Sequence, residues 1–404
     1  MATPDSPQLP LSGVRVLALE NFVAGPTASM LLADWGAEVL KLEPAGGDSY
    51  RGFPPIETSD EGTSSVWFTR LNRGKKSALL DIGTEDDRAR FLELIRSVDV
   101  IVQNLRPGAL GRLGLDYARL HEINPRLIQV SISGFGQPDV APGPYTAMPA
   151  FDLIGQAMSG IAYTSGQEGD PPAPVGFPLI DTAAGDWAAT ATLLALFQRE
   201  RTGLGQHIDV SMFDVGMHLN EYAIGAYGWT GKAPARGRLP SSAPFELVRA
   251  RDGYVAVAVS GEPIFARFCT VIGRPELVDD PRLANGTLRS QAMDTILLPI
   301  IQEWTGGRDV DEVLEALGAA GVPSSRVQTV GDLFADPHVA ARRMIVDVPD
   351  PVLGAVRVAG NPLKSTGFPA LDPQPAPQLG AHSDLIDSWL GDATAGPNDK
   401  ATAS

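Results

Sequence analysis

The residue best placed to do chemistry in this sequence is Asp181, which stands between an apolar lead-in at 176–180 and a long helical pattern. Residues 182–199 carry apolar side chains at helical spacing, so Asp181 falls where a helix N-cap is expected. On the local pattern alone, capping is the favoured role. The same position also suits catalysis, because the helix dipole and free backbone N–H groups keep a carboxylate ionised. An ionised carboxylate in a desolvated pocket can attack an activated acyl group.

A second set of candidates is basic and follows predicted strands or the loops near their ends: Arg73, Lys75, Lys76, Arg106 and Arg112. Ligands of open α/β sheets bind at the carboxyl ends of the strands. The chain carries a formal net charge of -16, so a local basic cluster indicates an anionic ligand with several phosphates. The alternative, that these are solvated loop charges, is strong for each residue and weaker for the set.

The elements that must position these residues begin with a strand at 14–19, a helix ending near Trp35 and a strand at 37–42. This βαβ pattern predicts a parallel sheet, and the fold class is α/β. The turn at 22–26 reads FVAGP and lacks the G-x-G-x-x-G fingerprint, so NAD or FAD is not expected. Further strands of the sheet are predicted at 77–82, 99–104, 127–133 and 208–212.

The length of 404 residues predicts two domains, and the composition shifts near 228–243 as a linker would. The predicted parts of the chain are a large Rossmann-like domain at 11–227, a small α+β domain with linkers at 228–330, a C-terminal return to the large domain at 331–390, and disordered tails at 1–10 and 391–404.

Composition argues against several classes of partner. The acidic balance disfavours nucleic acid and anionic membranes. A single cysteine, Cys269, excludes a disulfide framework, and no two of the five histidines are paired at metal-ligand spacing, so no metal is expected. The N-terminus has no basic and apolar signal regions and no segment is long enough to cross a membrane, which predicts a cytoplasmic protein.

Several segments taken together resemble a known family. They are Ala24-Gly25-Pro26, the stretch 32–44, the stretch 72–77, the stretches 107–110 and 133–136, Asp181, and the C-terminal stretches 321–323, 336–339 and 379–382. Their order and spacing resemble the class III CoA-transferase family, which includes formyl-CoA and carnitine CoA-transferases and the alpha-methylacyl-CoA racemases. The resemblance covers roughly residues 11–386.

The resemblance implies a Rossmann-like domain built from both ends of the chain, a small domain from the middle, and an interlocked homodimer. It implies that coenzyme A is a co-substrate and that no prosthetic group is bound. Asp181 matches the catalytic aspartate, which forms a mixed anhydride and then a thioester with CoA. By similarity, CoA would lie against Asn104, Leu105, Arg106, Arg112 and the turn at Val23 and Ala24. Arg73, Lys75 and Lys76 are added from their charge and placement.

Within this family the sequence favours transfer over racemisation. The racemases have a His-Asp pair where this chain has Phe151-Asp152, and phenylalanine cannot exchange a proton. Asp152 is therefore a candidate catalytic acid, with a helix cap as its alternative role, and Glu262 matches an acidic residue of the racemases or is a surface loop residue. A racemase and a non-catalytic acyl-CoA-binding protein remain alternatives. Arg236 and Arg238 could attract the second carboxylate of a dicarboxylic acid, or serve only loop solubility.

Overall fold

The computed structural model describes residues 9–369 and 372–394 of the chain. Its strands are β1 Arg15–Leu19, β2 Glu38–Glu43, β3 Ile56–Ser59, β4 Gly62–Ser65, β5 Lys76–Leu79, β6 Val100–Gln103, β7 Ile128–Ser133, β8 His207–Ser211, β9 Phe245–Arg249, β10 Tyr254–Ala258, β11 Ser324–Arg326, β12 Ile345–Asp350 and β13 Gly354–Ala359. Its α-helices are α1 Ala24–Asp34, α2 Val66–Asn72, α3 Glu85–Leu94, α4 Ala109–Arg112, α5 Tyr117–Ile123, α6 Asp152–Met158, α7 Ile161–Thr164, α8 Leu179–Thr202, α9 Met212–Leu219, α10 Glu221–Thr230, α11 Glu262–Val271, α12 Gly286–Gln291, α13 Leu298–Gly306, α14 Val310–Ala319, α15 Val330–Leu333, α16 Pro337–Ala341 and α17 Asp384–Thr394.

The central element is a six-stranded sheet in the order β5-β2-β1-β6-β7-β8. Every neighbouring pair in it is parallel. Its middle strands are nearly continuous apolar runs, as expected where helices cover both faces. The predicted α/β class is therefore confirmed, and each of the six predicted strands lies in this sheet. The short β3–β4 hairpin was not predicted.

The order in which strands are added to the sheet reverses next to β1. Leu17 of β1 pairs with Leu40 of β2 on one side and with Ile101 of β6 on the other. The chain leaves β1 toward β2 and later returns to add β6, so the connections after β1 and β6 run in opposite directions. This is a topological switch point, where open α/β sheets form a ligand-binding crevice beyond the carboxyl ends of the strands.

Helix α8 packs closely on α1 because its buried face is built from small residues such as Ala184, Gly185 and Ala188. A Cβ at position 185 would lie 2.5 Å from the Thr27 Cβ and 2.8 Å from the Ala24 carbonyl oxygen. Glycine is therefore required for this approach. The result is that the first turn of α8, which carries Asp181, is held beside the start of α1.

The chain forms two units. One comprises residues 1–160, 175–219 and 340–404, and the other comprises 161–174 and 220–339. The sequence placed the small domain at 228–330 and gave it no part of 161–174. In the first unit, Ile386 and Trp389 of α17 are buried with Leu17 and Phe91, so the C-terminal segment completes that core.

The second unit has its own core. Its three-stranded sheet has the order β11-β10-β9 and is antiparallel. Val255 and Val257 of β10 are buried with Phe265 and Phe268 of α11. This is the α+β arrangement that the sequence predicted for the small domain.

The expected tails fall mostly outside the described residues, which exclude 1–8 and 395–404. Residues 391–394 lie in α17, so the helix extends into the segment expected to be a tail. Among the helices of the described residues, none combines the length and the apolar character needed to cross a bilayer.

Candidate active site

Asp181 lies in the first turn of α8 as its third residue, not at the N-cap as the sequence pattern predicted. Pro178 holds the N-cap position and supplies no side-chain hydrogen bond. The Asp181 carboxylate is therefore free of the capping role. Within residues 9–369 and 372–394, no side chain or backbone group donates a hydrogen bond to it and no cation is paired with it.

The cap of α8 comes from a different helix. Asp152 Oδ1 accepts hydrogen bonds from the backbone nitrogens of Ile180 at 2.7 Å and Asp181 at 3.3 Å. Its Oδ2 accepts one from Gln156 Nε2 at 2.6 Å. The expectation that Asp152 would cap its own helix is corrected, because Asp152 is the first residue of α6 and its carboxylate points to the start of α8.

Gln156 fixes the segment that leads to Asp181. Its Oε1 accepts a hydrogen bond from the Val175 backbone nitrogen at 2.8 Å, and its Nε2 donates to the Phe177 carbonyl at 3.4 Å. The side chain is 1% exposed. A buried, fully bonded amide of this kind holds the loop in one geometry, so Asp181 is positioned from both sides.

The electrostatics of Asp181 differ from the expectation of a stably ionised carboxylate. Burial, together with the smaller effect of the neighbouring Asp152 charge, raises the pKa of Asp181 to about 7. The helix dipole favours the anion, but desolvation is the larger effect here. A carboxyl group with this pKa is divided between its protonated and ionised forms near neutral pH, so its charge responds to whatever binds beside it.

An aromatic cluster borders the two aspartates, and the sequence reasoning missed it. The Phe22 ring lies 5.6 Å from Tyr50, 6.5 Å from Phe53 and 5.5 Å from Phe151, each in an edge-to-face arrangement. Phe53 and Phe151 are 44% and 62% exposed. Phe22 itself has a φ of 63°, which is uncommon for a non-glycine residue and marks a backbone held by its surroundings. The available signal was the placement of Phe22 directly after a buried strand.

The loops after β1 and β6 are tied together at the switch point. Asn104 Nδ2 donates to the Asn21 carbonyl at 2.7 Å, and Asn104 Oδ1 accepts from the Asn21 nitrogen at 2.9 Å. The Leu105 nitrogen donates to Gln103 Oε1 at 2.7 Å. Asn104 was predicted to contact CoA, and here its amide is used to join the two loops.

The turn between β1 and α1 is buried. Val23 and Ala24 are each 3% exposed, so their side chains belong to the protein interior and only the backbone of this turn could border a ligand. A Cβ at Gly25 would lie 2.8 Å from the Glu20 Cβ and 3.0 Å from the Asn104 Cγ. The glycine therefore allows the turn to approach the loop after β6.

Among the five basic candidates, Arg106 and Arg112 are exposed, and neither guanidinium has an ion pair or hydrogen bond within the described part of the chain. They lie on the loop and short helix that follow β6. Exposed cations at the carboxyl end of a parallel strand suit an anionic ligand. These two residues fit the predicted role best.

The other three basic candidates are engaged by carboxylates of the protein itself, and their role as CoA contacts stays a prediction that these pairs do not favour. Lys75 is 3% exposed and its ammonium donates to Glu20 Oε1 at 2.7 Å and to the Asn72 Oδ1 at 3.0 Å. Arg73 is paired with Asp34 at 2.8 Å, and Lys76 with Glu38 at 2.6 Å. Burial lowers the pKa of Lys75 to about 8, while Glu20 opposes that shift. The sequence shows that a residue is charged but not whether its ion-pair partner is another residue of the protein or a ligand.

Glu262 belongs to the second unit, where it begins α11 and pairs with Arg289 at 2.6 Å. The hydrogen bond from Arg289 lowers the pKa of Glu262. Its carboxylate is therefore held by a nearly buried arginine whose guanidinium also donates to the Leu283 carbonyl. This contact explains the residue without a catalytic role.

Arg236 and Arg238, predicted as possible carboxylate contacts, are also engaged within the second unit. Arg236 is 8% exposed and donates to the carbonyl oxygens of Ser165, Asp170 and Pro171. Arg238 pairs with Glu246 at 2.7 Å and with Asp294 at 2.8 Å. Both side chains are structural in this arrangement. Across the described residues, no group of three or more histidine, cysteine, aspartate or glutamate side chains is arranged to hold a metal ion.

The parallel sheet with an unpaired carboxylate beside its switch point is an arrangement typical of α/β enzymes, and comparison with known proteins identifies the family. Residues 11–383 match the model of CoA-transferase family III. The chain therefore belongs to CoA-transferase family III and is a CoA-transferase.

Individual relatives agree with that assignment. The chain is 39% identical to acetyl-CoA:oxalate CoA-transferase of Acetobacter aceti over 93% of this chain and 95% of that protein. It is 36% identical to succinyl-CoA:mesaconate CoA-transferase of Haloarcula hispanica, over 93% of this chain and 96% of that protein. A CaiB/BaiF family protein from Brucella suis, solved by crystallography, has a TM-score of 0.82 and 34% identity, covering 95% of this chain and all of that one.

Proposed function

We propose that this enzyme transfers coenzyme A from an acyl-CoA donor to a free carboxylic acid through covalent intermediates on Asp181. The observation that carries the proposal is the state of that carboxylate. It is half-buried, no donor or cation among the described residues engages it, and its pKa is raised to about 7. A structural carboxylate would be paired, whereas a nucleophile must be accessible to the acyl group.

The steps balance without any redox partner or metal. An Asp181 oxygen attacks the thioester carbon, and the C–S bond breaks to release the CoA thiolate and leave a mixed anhydride. The thiolate then attacks the Asp181 carbonyl carbon, releasing the donor acid and leaving CoA on Asp181 as a thioester. The acceptor carboxylate attacks that thioester and expels the thiolate, which attacks the new acyl carbon and regenerates the Asp181 carboxylate.

Asp152 serves as a positioning residue in this scheme. It fixes the backbone of Ile180 and Asp181 through two hydrogen bonds, so the nucleophile keeps its orientation through both anhydride steps. Its negative charge also destabilises the Asp181 anion. A less stabilised carboxylate is a better nucleophile, and converting it to a neutral anhydride relieves the repulsion.

The CoA moiety is proposed to lie across the carboxyl ends of β1 and β6. The exposed guanidinium groups of Arg106 and Arg112 contact its phosphates, and the turn at Val23 and Ala24 contributes backbone only. Asn104 and Leu105 shape the loop that borders it. Arginine suits this role because its planar fork of N–H donors matches the oxygens of a phosphate.

The free acid that accepts CoA is proposed to be dicarboxylic. Oxalate and mesaconate, the free acids in the names of the two curated relatives, each carry two carboxyl groups, and the same names give acetyl-CoA and succinyl-CoA as the acyl-CoA partners. The relatives share a third or more of their residues with this chain.

The enzyme is further proposed to work as a cytoplasmic homodimer. The outer face of α8 carries large apolar side chains open to solvent in the single chain, with Leu194 and Phe197 63% and 60% exposed. An apolar stripe of this kind is typical of a subunit interface. Light scattering coupled to size-exclusion chromatography should give a mass near twice 42.7 kDa.

The test of the mechanism follows both covalent state and product. The protein would be incubated in D₂O with a panel of acyl-CoAs, including succinyl-CoA and a 2-methylacyl-CoA, plus isotopically labelled acids, and then trapped with hydroxylamine. We expect label in a new acyl-CoA, a hydroxamate at Asp181, and no α-deuterium. Deuterium uptake without transfer would instead establish racemisation, and acyl-CoA binding with neither reaction would establish a non-catalytic binding protein.

Two variants sharpen that test. Asp181→Asn should lose turnover by about 10³-fold or more while the protein remains folded. Asp186→Asn, a neutralised carboxyl five residues further along the same helix, should retain activity. Equal losses in both variants would show that the helix and not the nucleophile is at fault.

A further inference from the structure

Arg70 is an arginine that the fold leaves without a charged partner beside the candidate active site. It lies in the last turn of α2, and its Nε is buried with no hydrogen-bond partner. Among the described residues, no carboxylate forms an ion pair with its guanidinium. Nearby arginines differ in this respect, because Arg51 pairs with Glu43 at 2.7 Å and Arg73 with Asp34 at 2.8 Å.

The position of Arg70 is set by an aromatic platform. Its guanidinium carbon lies 4.8 Å from the centroid of the Trp67 ring. Trp67 is fixed in turn, because its Nε1 donates to the Pro54 carbonyl at 2.7 Å. A guanidinium stacked on an indole keeps its N–H edge directed outward in the plane of the stack. The side chain is therefore preorganised to receive a planar anion.

The platform connects to the pair of aspartates through the aromatic cluster. The Trp67 ring lies 6.4 Å from Tyr50, which lies 5.6 Å from Phe22, which in turn contacts Phe151 next to Asp152. The pKa of Tyr50 depends on both charged groups. Burial raises this pKa, the Arg70 guanidinium lowers it, and the Asp181 carboxylate raises it. The phenol thus lies within electrostatic reach of Arg70 on one side and Asp181 on the other.

A half-buried cation without a partner is unfavourable unless a ligand supplies the counter-charge. Burial also lowers the pKa of Arg70, with Tyr50 opposing this shift, yet a guanidinium stays protonated at any physiological pH. An anion with two oxygens would complete a bidentate contact with this guanidinium. In the proposed mechanism the reacting carboxyl of a substrate is committed to Asp181, so a second carboxylate on the same molecule suits this place.

We propose that Arg70 binds the non-reacting carboxylate of a dicarboxylic acid while the other carboxyl group reacts at Asp181, with the Tyr50 hydroxyl as a neighbouring donor. This inference rests on the proposed function, because it needs the acyl exchange at Asp181. It also replaces Arg236 and Arg238 in the role that the sequence suggested for them, since their guanidinium groups are already bonded to carbonyl and carboxylate oxygens within the second unit.

The experiment compares two acceptors of equal carbon number, succinate and butyrate, with one acyl-CoA donor. Arg70→Met removes the charge but keeps an apolar stem on Trp67. We expect kcat/KM for succinate to fall about 100-fold and that for butyrate to stay within about threefold, so that the preference for succinate is lost. Arg70→Lys should restore part of the preference, because a lysine keeps the charge but not the bidentate geometry.

The control variant is Arg238→Met, which removes an arginine that is already paired and should leave the succinate-to-butyrate ratio unchanged. The proposal would be overturned if Arg70→Met left the ratio of kcat/KM for succinate to that for butyrate unchanged, whether both values fell equally or neither fell. Hydroxylamine trapping with acyl-CoA alone separates this outcome from failure of the underlying function. If the wild-type protein forms no hydroxamate at Asp181, the proposed function fails; if it does and the ratio does not change, only the role of Arg70 fails.

Discussion

Two carboxylates in the same unit, the buried Glu20 and the half-buried Asp181, have pKa shifts in opposite directions. Glu20, just after β1, is 4% exposed and its Oε1 accepts hydrogen bonds from Ser29 Oγ and Lys75 Nζ, each at 2.7 Å. Burial raises its pKa, but Lys75 and Lys41 outweigh that effect, so the pKa of Glu20 is lowered overall. Within the described part of the chain no cation is paired with Asp181, and the charge that acts on its pKa is that of another carboxylate, Asp152.

The difference separates a carboxylate that stabilises the fold from one that is available for reaction. Both groups lose solvation, but only Glu20 gains compensating cations, which are Lys41 on β2 and Lys75 just before β5. Asp181 retains the cost, and an enzyme keeps such a cost where the group must change its bonding during turnover. The comparison predicts that breaking the first arrangement destabilises the protein, whereas neutralising the second does not.

The largest expected effect is on stability, from Lys75→Met. This change leaves the Glu20 carboxylate buried with Lys41 as its remaining cation, at 3.6 Å. Removing one partner of a buried ion pair costs about 3–5 kcal/mol, because the other charge is left without compensation. Urea unfolding of the two proteins measures the difference directly. The adjacent Lys76→Met is a matched control, since its pair with Glu38 is about one-third exposed and should cost below about 1 kcal/mol.

A second substitution tests whether the Lys75 effect is electrostatic. In Lys75→Met with Glu20→Gln, the uncompensated charge is gone, so part of the lost stability should return. If the double variant were as unstable as the sum of the two single variants, the loss would come from packing, and the contrast between Glu20 and Asp181 would lose its basis.

Asp181→Asn is expected to change the free energy of unfolding in the opposite direction from Lys75→Met, making the protein more stable. The folded-state pKa of about 7 lies above the ordinary value of 3.8, so folded protein holds a proton that unfolded protein releases between about pH 4 and 7. Stability conferred at low pH is therefore lost as the pH rises through this window. Above pH 7 the asparagine variant should be the more stable protein, by on the order of 2–4 kcal/mol, and this advantage should shrink toward zero near pH 4. Denaturant midpoints of the wild type and the variant at pH 5.0 and 8.5 test this prediction. A variant that is less stable than the wild type at both pH values would contradict it.

The sheet could be predicted from the sequence because its strands are local signals. Apolar runs such as the one at 14–19 are too short and too β-branched for helices, and the βαβ order then implies parallel pairing. The β3–β4 hairpin has no such signal, since residues 56–59 are all exposed and only Ile56 among them is apolar. The boundary of the second unit was also not readable, because residues 161–174 join it through tertiary contacts alone.

The sequence singled out Asp181 from its place before a helical pattern and from the resemblance, and its catalytic role stays a prediction. Its place within α8 could not be predicted, because Pro178 occupies the N-cap position and Asp152, from another helix, accepts the hydrogen bonds that an N-cap side chain would accept. Lys75 shows the main limit. Its partner Glu20 lies 55 positions away in the sequence, so no local pattern distinguishes a buried ion pair from a ligand contact. Arg70 shows the reverse, since its missing partner is visible only in the folded structure.

A smaller effect is expected from Asp152→Asn, and it is a shift in pH dependence. In the proposed mechanism the reaction requires the ionised Asp181 carboxylate, so kcat/KM should rise as the pH increases through about 7. Asparagine keeps an oxygen to accept from the Ile180 nitrogen but removes the negative charge. Since burial is the first cause of the raised pKa, the acid limb should move down by about one unit and not to the ordinary value. An unmoved limb would mean that Asp152 only positions the helix, and Gln156→Glu, which adds a charge nearby, should move the limb upward.

The smallest expected effect concerns an exposed charged group, the guanidinium of Arg112. Arg112 is a cation that, like Arg70, has no ion pair among the described residues, but it is open to solvent. Arg112→Gln should therefore leave the unfolding free energy unchanged and raise KM for the acyl-CoA about fivefold, because one charge-assisted contact to a phosphate is lost. Solvent screening makes this contact sensitive to ionic strength, so the ratio of wild-type to variant KM should fall toward one between 0.05 and about 0.5 M salt. Arg96→Gln, which breaks an exposed pair with Glu93, controls for the loss of any surface charge. If the rise in KM did not depend on salt, Arg112 would contact the acyl-CoA in a desolvated place. Exposure would then not distinguish the cations that bind ligand from those that are paired within the protein.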